Sequence, residues 1–424
     1  GEDNTYDMTF YDLLCQNINE YKDIENFTDF ISRYYKGNVD NYDIIKYKQS
    51  DEIIKDINNY INNLLSTIKF NNKLEYDNFI EIDTEELNNM LNYKYNRFPL
   101  FERIKEISKR IASNNYEGST NASSIEKKLK ELLNIKLDLK DIFNNFYQSE
   151  YSKYKDKVND KYLYYEDACI FLYIKSLLVG FNTNHVIKEI VIDEAQDLSL
   201  AQYYVLKKLF PSAKFNVFGD VNQSIYDYQS IHDWDELNNV IFDNKASMLD
   251  LNKSYRTTVN ISDASNLILN HLGQNNSECV ARMGDEVVTN DDISEVTLIS
   301  QIKSLLDKEY QSIAIICKDE KESANVYKKL SKLGLDVSVI TEKNEKYHGG
   351  LCIMPSYLSK GLEFDAVILY NANNVNYTDN NIDSKLLYVA MTRAMHELYV
   401  NYNGELPTSL KSLSKENKIL KRTK

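Results

Sequence analysis

Residues 190–197 read IVIDEAQD: Ile190, Val191 and Ile192 run into two adjacent carboxylates, Asp193 and Glu194, and then a polar turn. The amphipathic stretch SLAQYYVLKKLF (199–210) and a second apolar run, KFNVF (214–218), follow. Short apolar runs alternating with helical periodicity predict strands of a parallel α/β sheet. A strand ending at Asp193 puts that carboxylate at the carboxyl edge of the sheet, where α/β folds bind ligands. An Asp there can hold magnesium, directly or through water, because the ion prefers a few hard oxygens and keeps several waters. Glu194 beside it can polarise an attacking water as general base. Surface acids produce the same pair by chance, so the neighbouring segments have to decide.

Thirty positions after Asp193 comes Gln223, in GDVNQSIY (219–226), directly after the second run. An uncharged amide there can hydrogen-bond a terminal phosphate or the attacking water. LNKSYRTT (251–258) brings Tyr255, a ring able to stack on a base, and Arg256, whose fork fits phosphate oxygens. SKGLEFDAVIL (359–369) places Lys360, Gly361 and Glu363 before a further strand. LLYVAMTRAMHELYV (386–400) puts Thr392 and Arg393 on a helix ahead of the last strand, with Arg393 a candidate arginine finger.

DEAQD, GDxxQSIY, the YR pair, KGLEFD and LLYVAxTRA, in this order, resemble motifs II to VI of superfamily 1 helicases of the UvrD/Rep type, over roughly residues 160–405. The resemblance implies ATP and Mg2+ as cofactors, with Asp193 on the metal and Glu194 as catalytic base. It also implies that Gln223, Arg256 and Arg393 contact the γ-phosphate region, that Tyr255 stacks on adenine, and that Gly361 and Glu363 lie near the ribose or phosphates. ATP is then expected to serve both RecA-like domains at once.

The phosphate-binding loop of such enzymes reads GxxxxGK[ST]. None of the 12 glycines in this sequence is followed by lysine. In the family that loop lies upstream of DEAQD, so the chain is expected to supply the later half of an ATPase site and to hydrolyse ATP poorly by itself. It begins on Gly1 without an initiator Met, which suggests a tag remnant on a piece of a longer protein. Arg256 and Lys360 are 104 positions apart, too close for the large helical domain that DNA-translocating members insert there. The Trp-Arg pair of DNA helicases is missing after GDVNQSIY, with Tyr228 the nearest aromatic substitute, and Tyr357 stands where the motif V histidine would be.

The first 160 residues are mostly helical in pattern. Ile53, Ile54, Ile57, Ile61, Leu64, Leu65 and Ile68 recur at a 3.6-residue period, and Leu100, Ile104, Ile107 and Ile111 form a stripe behind Pro99. SNNYEGSTN (113–121) is a polar loop, and Ser123 with Glu126 forms a capping box for the next helix. The expected architecture is therefore α/β: an α-helical insertion domain (1–160), the C-terminal part of a first RecA-like domain (161–245) and a complete second RecA-like domain (246–424). Strands of the latter are expected at SMLDL (247–251), SIAIIC, DVSVIT, LCIMP, DAVILY and ELYVNY. A helical insertion ahead of DEAQD, with phrases such as FPLFERI and YEDACIFLYIKSLL, resembles the HelD-type relatives that bind RNA polymerase.

Composition bounds the partners. The 424 residues carry a net charge of −14, which disfavours a broad grip on nucleic acid but leaves room for a local basic groove. No window is apolar enough to span a membrane, and five scattered cysteines read as reduced thiols of a cytoplasmic protein. The richness in Asn, Lys, Ile and Tyr, with four Pro, is expected of an AT-rich bacterial genome. The leading expectation is an ATPase piece of a factor that binds the RNA polymerase core. The alternatives are part of a DNA repair helicase acting on single-stranded DNA and a catalytically silent interaction module.

Overall fold

The computed structural model describes residues 6–35, 41–77, 79–114, 121–181, 186–226, 231, 233–251, 253–280, 282–341 and 347–414. The chain packs as two compact units, Gly1–Gly219 with Asp233–Asn244, and Asp220–His232 with Lys245–Lys424.

The first unit is built around the helix Tyr165–Leu178, in which 12 of 14 residues are buried. A helix apolar on every side belongs in a core. Helices Phe10–Asn17, Tyr42–Gln49, Asp51–Thr67, Leu100–Ser113, Leu139–Gln148 and Leu200–Leu209 all pack against it. These come from both sides of residue 160, so the packing has no break at the expected 160/161 boundary. The sequence stripes are where the periodicity puts them: Ile53, Ile54, Ile57 and Ile61 are buried, as are Leu100, Ile104, Ile107 and Ile111.

Local signals were less faithful than periodicity. Asn121, not Ser123, caps the helix Ala122–Leu132 by accepting from Ser123 N, and Glu126 pairs with Lys130 instead of closing a capping box. Asn is as good an N-cap as Ser, so the helix starts earlier. Most of the loop expected at 113–121, and Tyr228, lie outside the described residues. A hairpin, Leu74–Tyr76 with Ile80–Ile82, went unforeseen. Cys169, Cys317 and Cys352 are buried thiols, whereas Cys15 is exposed.

Buried charges lock the first unit. Lys48, on Tyr42–Gln49, reaches Asp167 (2.8 Å) and Asp156 (2.6 Å), and Tyr147 Oη donates to Asp167 (3.0 Å). Arg33 bridges Glu25 (2.8 Å) and Glu166 (2.6 Å). Burial works against the Lys48 ammonium, but Asp167, Glu166 and Asp156 outweigh it and hold its pKa above the usual lysine value. The stability this contributes is present below lysine's ordinary value while the carboxylates stay ionised, and is lost as the pH rises through the raised lysine value; burial also pushes the Asp167 pKa up, so acid removes it as well.

The second unit holds a six-stranded, all-parallel sheet in the order 338–339, 350–355, 312–317, 364–369, 394–401, 288–290. Ile313, Ile315, Ile353, Ala366 and Ile368 form a core with residues of the helices Glu295–Asp307 and Glu320–Lys332. Helices Val259–His271 and Asn381–Met391 also pack in this unit, against each other and against the strand Ala394–Asn401. SIAIIC, LCIMP, DAVILY and ELYVNY all fall in strands, and DVSVIT contributes only Ser338–Val339. SMLDL is not a strand: Met248, Leu249 and Leu251 are 54%, 85% and 77% exposed, and among the described residues no strand pairs with this segment.

Replacing Lys48 by Met leaves Asp167 buried without its cation, and should destabilise the first unit by about 3–5 kcal/mol. Adding Asp167→Asn should recover part of that loss. Urea unfolding followed through Trp234, the only tryptophan and a member of the first unit, checks both.

Candidate functional site

In the first unit, the strand Glu189–Ile192 pairs in parallel with Lys214–Val217. Asp193 follows, exposed, and its Oδ1 accepts from Glu194 N (2.9 Å). Glu194 sits at φ 48° and ψ 39°, a left-handed conformation that costs a non-glycine residue energy and is typical of functional turns. The turn is pinned by Ala195 N donating to Phe218 O (2.9 Å) and by Tyr203 Oη donating to Ala195 O (3.0 Å). Gln196, fully buried, donates through Nε2 to Glu194 Oε2 (2.6 Å) and so orients that carboxylate. A Cβ at Gly219 would overlap Gln196 Oε1 and meet the Trp234 ring at 3.0 Å, so only glycine fits there. The Q of DEAQD and the G of GDxxQ thus require each other.

In the second unit, Asp220 caps the short turn Val221–Gln223, accepting from Asn222 N (2.9 Å) and from Gln223 Nε2 (3.0 Å). Arg393 is 1% exposed and lies just past the end of Asn381–Met391, before the strand Ala394–Asn401, not on the helix as expected. A residue just beyond a helix's C-terminus can still turn its side chain back, and the guanidinium does so. It donates to Val389 O (3.0 Å), Leu362 O (3.3 Å), Thr392 Oγ1 (3.3 Å) and Gln223 Oε1 (2.9 Å). Two of the expected phosphate-contacting residues, Gln223 and Arg393, are therefore bonded to each other.

Two more form a second pair: Arg256 Nε and Glu363 Oε1 are 2.6 Å apart, each side chain nearly half exposed. Gly361, between Lys360 and Glu363, has φ +77° with open space around it, so the backbone conformation and not crowding calls for glycine. Tyr255 is 74% exposed, as a ring awaiting a stacking partner would be. Asp365, from the same KGLEFD motif, accepts from Gln311 N, Ser312 N and Ser312 Oγ and ties two strands together.

Sequence reasoning did not give Lys360 a partner. Its Nζ donates to Gln223 O (2.9 Å) and lies 5.6 Å from the centre of the Tyr226 ring. Ser224 was also passed over: its buried Oγ has no hydrogen-bond partner among the described residues. No local pattern announces the Lys360 contact, since it links segments 137 positions apart. Among the described residues no cluster of three or more His, Cys, Asp or Glu could hold a metal, and no helix is long and apolar enough to cross a membrane.

Burial separates the roles of these side chains. Arg393→Ala strips donors from Gln223 Oε1 and Leu362 O, and should cost the second unit about 2–3 kcal/mol. Tyr255→Ala should stay within about 0.5 kcal/mol of the parent, since an exposed ring carries little packing. Thermal or urea unfolding of the two variants measures the contrast.

Comparison with known proteins fits these motifs. The family model of the UvrD/REP helicase N-terminal domain matches residues 11–232, and that of the UvrD-like helicase C-terminal domain matches residues 350–401. A protein of Acanthamoeba polyphaga mimivirus, named as an ATP-dependent DNA helicase, is 26% identical over 255 residues, covering 52% of this chain and 36% of the viral protein. The ATP-dependent DNA helicase PcrA of Leuconostoc citreum is 28% identical over 167 residues, 35% of this chain and 21% of PcrA. The chain thus spans about a third or less of the length of these relatives. Among solved structures, the C-terminal domain of a possible DNA helicase from Lactobacillus plantarum WCFS1 is 35% identical, with a TM-score of 0.31, covering 37% of this chain and 92% of that domain. The arterivirus nonstructural protein 10 helicase in complex with DNA is 16% identical, with a TM-score of 0.31, covering 59% of this chain and 46% of that one. With the N-terminal family model matching more than half of its residues, and with the motifs from DEAQD to TRA in order, this chain belongs to the UvrD/REP helicase family.

Proposed function

We infer that this chain is the later part of an ATP-dependent superfamily 1 helicase motor that acts on nucleic acid. The observation that carries the reading is the Arg393–Gln223 bond: a buried cation is held against the amide suited to sensing a terminal phosphate. Glu194, held in a strained turn and oriented by Gln196, is the general base. Asp193 supplies a hard oxygen to Mg2+, and the ion would supply charge neutralisation on the phosphates of ATP. Arg393 and Arg256 stabilise charge that develops on the transferred phosphoryl group, Tyr255 stacks on adenine, and Gly361 with Glu363 lines the nucleotide.

The first RecA-like domain is partial in this reading. Val191, in the first of its two parallel strands, is 65% exposed, and Phe218, just past the end of the second, is 53% exposed, whereas parallel sheets are ordinarily covered on both faces. Further strands and a phosphate loop, absent from this sequence, would cover them. The helical residues ahead of DEAQD are then an insertion between that loop and motif II.

A second reading, a HelD-type factor that binds the RNA polymerase core and helps release it from nucleic acid, draws on a separate observation. More than half of the stretch between Arg256 and Lys360 is used by helices Val259–His271, Glu295–Asp307 and Glu320–Lys332 and by strands, with short connections between them. Little chain remains there for a separate DNA-gripping domain.

The full-length product, with its phosphate loop, should hydrolyse ATP, and Glu194→Gln should lower kcat by about 10²–10⁴ with KM little changed. This chain alone should show no turnover. Turnover by the chain alone that disappears with Glu194→Gln would refute the division of the site, and an unaffected kcat in the full-length variant would refute the role of Glu194. Binding of the chain to RNA polymerase core, measured beside binding to single-stranded DNA at matched salt, separates the two readings.

A further inference from the structure

The loop that carries Tyr255 and Arg256 is held from outside the motifs, by the segment of the second unit that begins at Glu278. Lys253–Ser254 pairs in parallel with Glu278–Cys279, and Val280 N donates to Ser254 O (2.9 Å). The Cys279 thiol donates to Thr257 O (3.1 Å), and Val259 N donates to Arg282 O (3.0 Å). Gly284 N donates to Asn260 Oδ1 (3.3 Å), and a Cβ at Gly284 would overlap the Thr258 side chain. The two segments therefore lie closely along each other.

The Arg282 side chain makes a different connection. Its Nη2 donates to Met395 O and to His396 Nδ1 (3.1 Å), on the strand that starts just after Arg393. A guanidinium has no acceptor, so Nδ1 is the accepting nitrogen. The imidazole is itself fixed: it lies against the Tyr310 ring, centres 5.7 Å apart and planes within 5°, and its Nε2 is 3.7 Å from Asp365 Oδ1. Phe364 N donates to Arg393 O (2.9 Å), and Phe364 pairs with Ala394 across the two strands. These contacts close a circuit. Arg256 is paired with Glu363, whose neighbour Phe364 is bonded to the strand after Arg393. That strand holds the Arg282 guanidinium, and the Arg282 backbone returns to the Arg256 loop.

We propose, resting on the ATPase reading above, that Arg282 is a positioning residue for ATP turnover, keeping Arg256 and Tyr255 in register with Arg393. A phosphate oxygen that binds the Arg256 guanidinium has to take it from Glu363, and the loop then loses its ion-pair link in the circuit. The Arg282 link ends on a backbone carbonyl and an imidazole, neither of which the nucleotide uses, so it survives that exchange. Arg282 is exposed, so little stability depends on it. Its effect is on where the loop sits, and a misplacement of about 1 Å can cost about 100-fold in rate.

Steady-state ATP hydrolysis by the full-length product tests this through a double-mutant cycle. Arg256→Ala should lower kcat about 100-fold or more, as loss of an arginine that meets the transferred phosphoryl group does. Arg282→Ala should lower kcat about ten-fold and raise KM for ATP about three-fold or more, because Tyr255 moves with the loop. With Arg256 already replaced, Arg282→Ala should cost no more than about a further two-fold in kcat, since no guanidinium is left to position. A smaller amount of active protein lowers kcat without touching KM, so the rise in KM separates positioning from stability. No turnover by the full-length parent, or Arg256→Ala with the parent's kcat, would overturn the ATPase reading and this role with it. Where Arg256→Ala is impaired, three results would each overturn the positioning role alone. They are Arg282→Ala matching the parent, a kcat loss with KM unchanged, and losses that multiply in the double variant.

Discussion

A guanidinium taken out of water must be hydrogen-bonded by its surroundings, or the fold bears the cost of an unsolvated charge. Arg393 meets that demand by drawing on Val389 and Thr392 at the end of one helix, on the Leu362 carbonyl in the KGLEFD loop, and on the Gln223 side chain. These are three separate motifs of the sequence, and one buried cation ties them together. Lys360 adds a second tether, from the same loop to the Gln223 carbonyl. Gln223 is thus fixed through its backbone and its side chain by two cations. A loop that lost Arg393 would lose its shape as well as its charge.

The Gln223–Arg393 bond also bears on how such a site would respond to a ligand. A bond between a neutral amide and a guanidinium is weaker than one between a guanidinium and a phosphate oxygen. A phosphate arriving near Arg393 would therefore compete successfully for an Nη donor. Gln223 would then turn its amide NH2 toward the phosphate while Lys360 still held its carbonyl. The backbone of the turn Val221–Gln223 would keep its place through the exchange, and only the side chain would have to reorganise.

Much of the fold could be read from periodicity because periodicity is a local property. The buried isoleucines of Asp51–Thr67 and the strands Ser312–Cys317, Gly350–Pro355 and Phe364–Leu369 follow directly from apolar spacing. SMLDL failed for the complementary reason: its residues have strand character, but a strand exists only where a neighbour takes its backbone bonds. Asn121 displaced Ser123 as a cap because two polar residues two positions apart compete and sequence does not rank them. The site residues were legible as a set through their motif order, yet the pairs Gln223–Arg393 and Arg256–Glu363 were not. Their partners stand 170 and 107 positions apart, and side-chain pairing at that range leaves no mark on either local stretch.

Charge shows most clearly what composition hides. Glu166 and Asp167, the acids of YEDACIFLYIKSLL, are each 3% exposed and are bonded to Arg33 and Lys48 inside the first unit. They add nothing to the field outside. Arg33 and Lys48 are consumed by the same pairs, so burial removes charges of both signs from the surface. Fields of exposed charges fade over about 8 Å at physiological salt, so a phosphate chain senses its immediate surroundings and not the total. A net charge of −14 and a nucleic-acid site are compatible once the charges are counted by position.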